Sequence, residues 1–155
     1  MTKQHIHIMD ATTLEIRDRS ATTLLRVKHD DSALTKVTVT NAPIANAREK
    51  GLFWPIDNAD LARLGVAIGR NTKLQGMNFF NDDDDPNAMD GMGGDAFFEG
   101  IKRNSSIRYL HLMNIDISQG IGRGLLNEFV ANNNNFESLA LSKFGQLQVL
   151  QNGWA

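Results

Sequence analysis

The stretch NSSIRYLHLMN (104–114) decides the fold, because two others repeat it: NTKLQGMNFFN (71–81) and NNNFESLALSK (133–143). Ile107 is followed three and five residues later by Leu110 and Leu112, and Asn114 comes two after that. Leu74, Met77, Phe79 and Asn81 keep the same intervals. So do Leu34, Val37, Val39 and Asn41. Phe136, Leu139 and Leu141 make another copy, with Lys143 in the asparagine position, and Leu14, Ile16 and Asp18 suggest a weak one upstream. Within each copy apolar and polar residues alternate, the period of a strand with one buried face. The copies begin at 34, 74, 107 and 136, hence 40, 33 and 29 residues apart. A recurring unit of that length marks a repeat architecture.

A segment of helical spacing precedes each strand. Leu61, Leu64 and Ile68 come before Asn71; Phe97, Phe98 and Ile101 before Asn104; Leu125, Leu126, Phe129 and Val130 before Asn133. Apolar residues three and four apart make one sticky helix face. Ser20 is placed as the cap of an earlier helix carrying Leu24, Leu25 and Val27. Asp57 and Asp95 stand where N-caps belong, and Asn71, Asn104 and Asn133 where helices stop. The order helix, turn, strand, loop, kept from copy to copy, predicts an α/β fold with parallel strands and helices on one side.

These segments resemble leucine-rich repeats of the ribonuclease-inhibitor-like type, over residues 20–145. The resemblance implies a solenoid, a horseshoe of about 4 repeats with strands on its concave side and helices on its convex side. The family's ladder asparagine or cysteine falls one residue later, at Ala42, Asp82, Ile115 and Phe144 here. Residues 1–155 read as a single domain: 1–19 an N-terminal cap or partial repeat, 20–145 the repeats, 146–155 a C-terminal cap or truncation point. Leu147, Val149, Leu150 and Trp154 are the apolar residues available to such a cap. The resemblance implies a protein-interaction module or scaffold that binds a protein or peptide partner on the concave face. Two alternatives stay open: a regulator of a small GTPase, since relatives of this repeat type include GTPase activators, and a structural fragment of a longer repeat protein.

Composition bounds the function. Hydrophobic residues make up 41% and charged residues 22% of 155, enough to bury a core. Lys and Arg number 16 against 18 Asp and Glu, a net charge of −2 that gives no reason to expect nucleic acid or an anionic membrane surface. The absence of cysteine removes disulfides, thiolate catalysis and cysteine-based metal sites. MTKQHIHIMD is too polar for a signal peptide and no apolar run is long enough to span a membrane, so a cytoplasmic location is expected.

No catalytic, cofactor or metal constellation assembles. Asp82 to Asp85 fail the calcium-loop pattern: starting at Asp83, Ala88 replaces its glycine and Gly94 its glutamate. His5 and His7 have only Asp10 near them, and the glycines of SQGIGRG and DGMGGD fit no phosphate-binding motif. The glycines at 120–124 are expected in a loop leading into a helix at 124–132, and residues 82–94 in a loop outside the repeat core. The strand pattern instead points to a surface. Residues between the buried positions face the other way: Lys36, Thr38 and Thr40; Gly76, Asn78 and Phe80; Tyr109, His111 and Met113; Ser138, Ala140 and Ser142. Phe80, Tyr109, His111, Met113, Asn78 and Lys36 are the candidate partner-binding residues, since aromatic residues and methionine together resemble an interaction patch. Trp54, in the long segment 41–57 broken by Pro43, Gly51 and Pro55, is the secondary candidate.

Overall fold

The computed structural model describes residues 11–41, 51–55, 58–92, 94–143 and 146–151. Helix α1 (Ala11–Lys28) leads to strand β1 (Lys36–Thr40) and the two-residue β2 (Leu52–Phe53). Helix α2 (Asn58–Arg70) leads to β3 (Gly76–Phe80), and α3 (Asp95–Ile101) to β4 (Tyr109–Met113). Helix α4 (Gly120–Gly124) widens into a π-helical turn at Leu125–Val130 and leads to β5 (Ser138–Lys143), after which β6 (Gln146–Gln151) follows. One sheet results, in the order β2-β1-β3-β4-β5-β6, parallel through its first five strands and antiparallel at β6.

The alternation seen in the sequence sets which face is buried. Val37, Val39, Met77, Phe79, Leu110, Leu112 and Leu139 enter one core with Leu61, Leu64, Ile68, Phe97, Ile101, Leu125 and Phe129 from the helices. Phe79 meets Phe97 edge to face, 5.9 Å between ring centres. Helices α2 and α3 approach until their backbones touch: a Cβ on Gly65 would lie 2.6 Å from the Phe97 carbonyl oxygen, and one on Gly100 would lie 2.3 Å from the Gly65 carbonyl carbon. Only glycine permits that contact.

Two rails of asparagine fix the turns. The first runs along the helix-to-strand turns. Asn71 Nδ2 donates to the Val27 carbonyl (3.0 Å) at the end of α1, and Asn104 Nδ2 to the carbonyls of Ile68 (2.7 Å) and Asn71 (2.9 Å). Their Oδ1 atoms accept the backbone N–H groups of Lys73 and Leu74, and of Ser106 and Ile107. The Val27 and Ile68 carbonyls at the helix ends, which also accept the Asp30 and Asn71 backbone N–H groups, thereby gain a second donor. Asn133 keeps only part of the pattern: its Nδ2 donates to the Ile107 carbonyl (3.0 Å) in the turn before β4, and its Oδ1 accepts the Asn135 N–H alone. The second rail lies at the other strand ends. Asn41 Nδ2 donates to Asn81 Oδ1 (2.8 Å), and Asn81 Nδ2 to the carbonyls of Asp85 (2.7 Å) and Asn114 (2.9 Å). Every buried side-chain nitrogen or oxygen among the described residues has a partner.

Several local expectations give way. Leu14, Ile16 and Asp18 are helical, part of α1, so three alternating positions there do not make a strand. Ser20 sits inside α1 rather than capping it, and its hydroxyl accepts the Trp54 backbone N–H (2.8 Å). Asp95 is the first helical residue of α3, and Gly94 occupies the N-cap without a side-chain bond. Asp57, Trp154, His5 and His7 lie outside the described residues. The 41–57 segment, expected as a long loop folded back over the repeat edge, does cover that edge, but through a strand: β2, with buried Leu52 and Phe53, pairs with β1. The helix after SQ begins already at Gly120, not 124. Residues 82–94 are not wholly outside the core: Met89 is 1% exposed within it. Nearby, Asp90 Oδ1 accepts the Ile121 N–H (3.3 Å). Leu147, Val149 and Leu150 fall in β6, a strand laid antiparallel on β5.

Candidate functional site: the open face of the sheet

The sheet face turned away from the helices carries three rows set by strand register. Lys36, Gly76, Tyr109 and Ser138 form one; Thr38, Asn78, His111 and Ala140 the next; Thr40, Phe80, Met113 and Ser142 the third. Lys36, Tyr109, His111, Asn78, Phe80 and Met113 thus share one surface, but unequally. Tyr109 is 46% exposed and Lys36 is exposed, whereas Asn78, His111, Phe80 and Met113 are half-buried. Thr38 and Thr40, expected on the open face, are buried. β1 is an interior strand, with β2 on one side and β3 on the other, and Asn78 Nδ2 reaches across to Thr38 Oγ1 (3.3 Å). Trp54 stands apart from these rows. It follows β2, half-buried, and its backbone is tied to Ser20 of α1.

Gly76 gives the face its relief. Its neighbours in the row are long, Lys36 on one side and Tyr109 on the other, so the missing side chain leaves a hollow of about 230 Å³. Asn78, His111, Ser138 and Ala140 complete its walls. A methyl at Gly76 would find Lys36 Cγ at 3.6 Å and Tyr109 Cβ at 3.9 Å, ordinary contact distances. The glycine is thus not required by the backbone here.

His111 is half-buried between β3 and β5. Its Nε2 lies 3.0 Å from Ser142 Oγ. Burial pushes the imidazole pKa below its usual value, and the positive charge of Lys36 adds to that.

A second hollow, of about 510 Å³, opens at the N-terminal ends of β3 and β4. Lys73, Gln75, Arg108 and the hydroxyls of Thr72, Ser105 and Ser106 line it. Thr35, Gln75 and Tyr109 belong to both hollows, which therefore run together around the tyrosine ring. The strand pattern made Gly76 and Tyr109 legible in sequence; Lys73, Gln75 and Arg108 were missed because they lie on turns, where periodicity is silent.

The acidic residues gather elsewhere. Asp82 to Asp85 are exposed beyond the C-terminal end of β3, where Asp83 Oδ1 accepts the Asp85 N–H and Asp85 Oδ1 the Asn87 N–H. Asp90 nearby is pushed above the usual carboxylate range by burial, with the charges of Asp116 and Asp85 adding to it. Among the described residues no group of three or more histidines and acids is arranged to hold a metal ion, and no helix is long and apolar enough to cross a membrane.

No family model matches the chain, and no curated protein matches it. Among solved structures it is similar to the one described as Leiomodin-1 Actin-Binding Site 2 (ABS2), with 24% identity and a TM-score of 0.47. The overlap takes in 85% of this chain and 65% of that one, so the present chain spans less than two thirds of that structure's length. A likeness of that size does not transfer a partner.

Proposed function

We propose that this chain is a leucine-rich-repeat solenoid of the ribonuclease-inhibitor-like type, a horseshoe of about four repeats whose concave face binds a protein or peptide partner. Four helices each lead into a parallel strand, and the asparagine rails lock the turns; both features support the repeat reading. The observation that carries the binding reading is the hollow over Gly76, walled by an exposed tyrosine and an exposed lysine on a hydrogen-bonded sheet. Side chains held by a sheet lose little backbone entropy on binding. A tyrosine offers large contact area with few rotors.

Peptide selection from a random displayed library tests this. Selected peptides should bind the Tyr109→Ala variant more weakly by about 1–3 kcal/mol. Gly76→Leu, which keeps the strand and fills the hollow, should abolish binding. Lys102→Ala, exposed at the end of α3, should change nothing. Peptides that bind all three variants equally would overturn the proposal.

A further inference from the structure

We propose that the partner is an acidic linear segment of a protein, its carboxylates held by Lys36, Lys73 and Arg108 and an apolar side chain seated beside Tyr109. This rests on the open face being the binding surface. No aspartate or glutamate lines either hollow, while Lys36, Lys73, Arg108 and His111 do. Acids close to the rim are already engaged. Asp30, held below the usual carboxylate range by the Thr72 hydroxyl and backbone N–H and by the charge of Lys73, offsets part of that lysine's field, and Asp31 binds Arg26 at 2.6 Å. Glu137 pairs with Arg108 at 3.2 Å, but that pair is exposed on both sides, and exposed pairs hold weakly enough for a ligand carboxylate to replace one partner. Lys36 and Lys73 make no salt bridge among the described residues.

Along β1, β3 and β4 the charge is also polarised, while β5 runs the other way, with Glu137 before it and Lys143 at its end. Cations stand at the N-terminal ends of β1, β3 and β4, and Asp82 to Asp85 beyond the C-terminal end of β3. An acidic chain is drawn to one end and repelled from the other, which fixes where it lies as well as how fast it arrives. The joined hollows suit an extended segment: hydroxyls and Gln75 offer polar partners along the turn, and the Gly76 notch takes one apolar side chain. A nucleic acid suits them less well. Three cations on a chain of net charge −2 neutralise a short run of carboxylates and not a polyphosphate.

The experiment resynthesises the selected peptides with every Asp and Glu replaced by Asn and Gln, and measures their affinities by fluorescence anisotropy. The acidic versions should bind at least about tenfold more tightly, and raising the salt should erase most of the difference. The double variant Lys36→Glu/Lys73→Glu should lose about tenfold or more, Arg108→Gln less, and Lys102→Glu nothing. Unchanged thermal melting will show that the variants fold. If the neutral peptides bind as well and Tyr109→Ala still weakens them, the acidic partner is wrong and the binding face stands. If no peptide responds to either the charge or the Tyr109 variants, both readings fall. Binding of a single-stranded oligonucleotide as tight as that of the acidic peptides also overturns the proposal.

Discussion

The two asparagine rails use the same side chain for different tasks. On the helix-to-strand side, Asn71 and Asn104 each do one thing twice: the amide reaches back to the preceding helix end, and the oxygen receives the N–H groups two and three residues ahead. On the strand-to-loop side, Asn41, Asn81 and Asn114 bond to one another and to whatever loop comes next. Asn81 takes the Asp83 N–H and donates to the Asp85 carbonyl, so the acidic insertion hangs from it. One rail copies a fixed turn; the other fastens connections of unequal length. The lesson is that regularity in this sheet comes from its N-terminal edge, and variation is admitted at the opposite edge.

The largest effect should come from breaking the copied turn. Asn104 is 3% exposed, and Asn104→Ala would leave the Ser106 and Ile107 N–H groups without their acceptor and take one donor from each of two carbonyls, a loss of about 3 kcal/mol in chemical denaturation. A loss under about 1 kcal/mol would show that water replaces the amide and that the rail is dispensable. Asn81→Ala should cost less, about 2 kcal/mol, because the insertion is held at its other end by Met89 and Asp90. It should also speed proteolytic cleavage between residues 82 and 88, a readout that Asn104→Ala leaves unmoved.

The smallest effect concerns the far anchor. Burial raises the folded pKa of Asp90 above its unfolded value, so its ionised form weakens the fold above that pKa, and the penalty disappears as pH falls through it. Asp90→Asn keeps an oxygen for the Ile121 N–H and removes the charge. It should stabilise the protein at pH 7 by less than about 1 kcal/mol, and the advantage should vanish near pH 4. A gap that widens on acidification would reverse the assignment.

Much of this was legible in the residues. Alternation at Met77, Phe79, Leu110 and Leu112 placed the strands and told their faces apart, because burial on one side leaves a period of two. The rows that join Phe80 to Met113 and Asn78 to His111 followed from register alone. The rails did not follow. Asn81 and Asn114 were visible at a fixed interval, but their bonds join residues 33 apart, and no local rule states which carbonyl an amide will reach. Ser20 looked like a cap because serine favours caps; its hydroxyl instead serves the Trp54 backbone, a partner 34 residues away. The hollow at Gly76 depends on what stands beside a residue in space, and its basic rim on turns that carry no period.

The fixed turn has a consequence for which mutations this molecule can inherit. Asn71 and Leu74, Asn104 and Ile107, and Asn133 and Phe136 are each three residues apart. A codon gained or lost inside one of those intervals would advance the following strand by one residue and turn its core side chains outward. A codon gained among Asp82 to Asp85 would lengthen an exposed loop and disturb its bonds to Asn81, but leave the strands in register. Length change in the gene is therefore confined to one edge of the sheet.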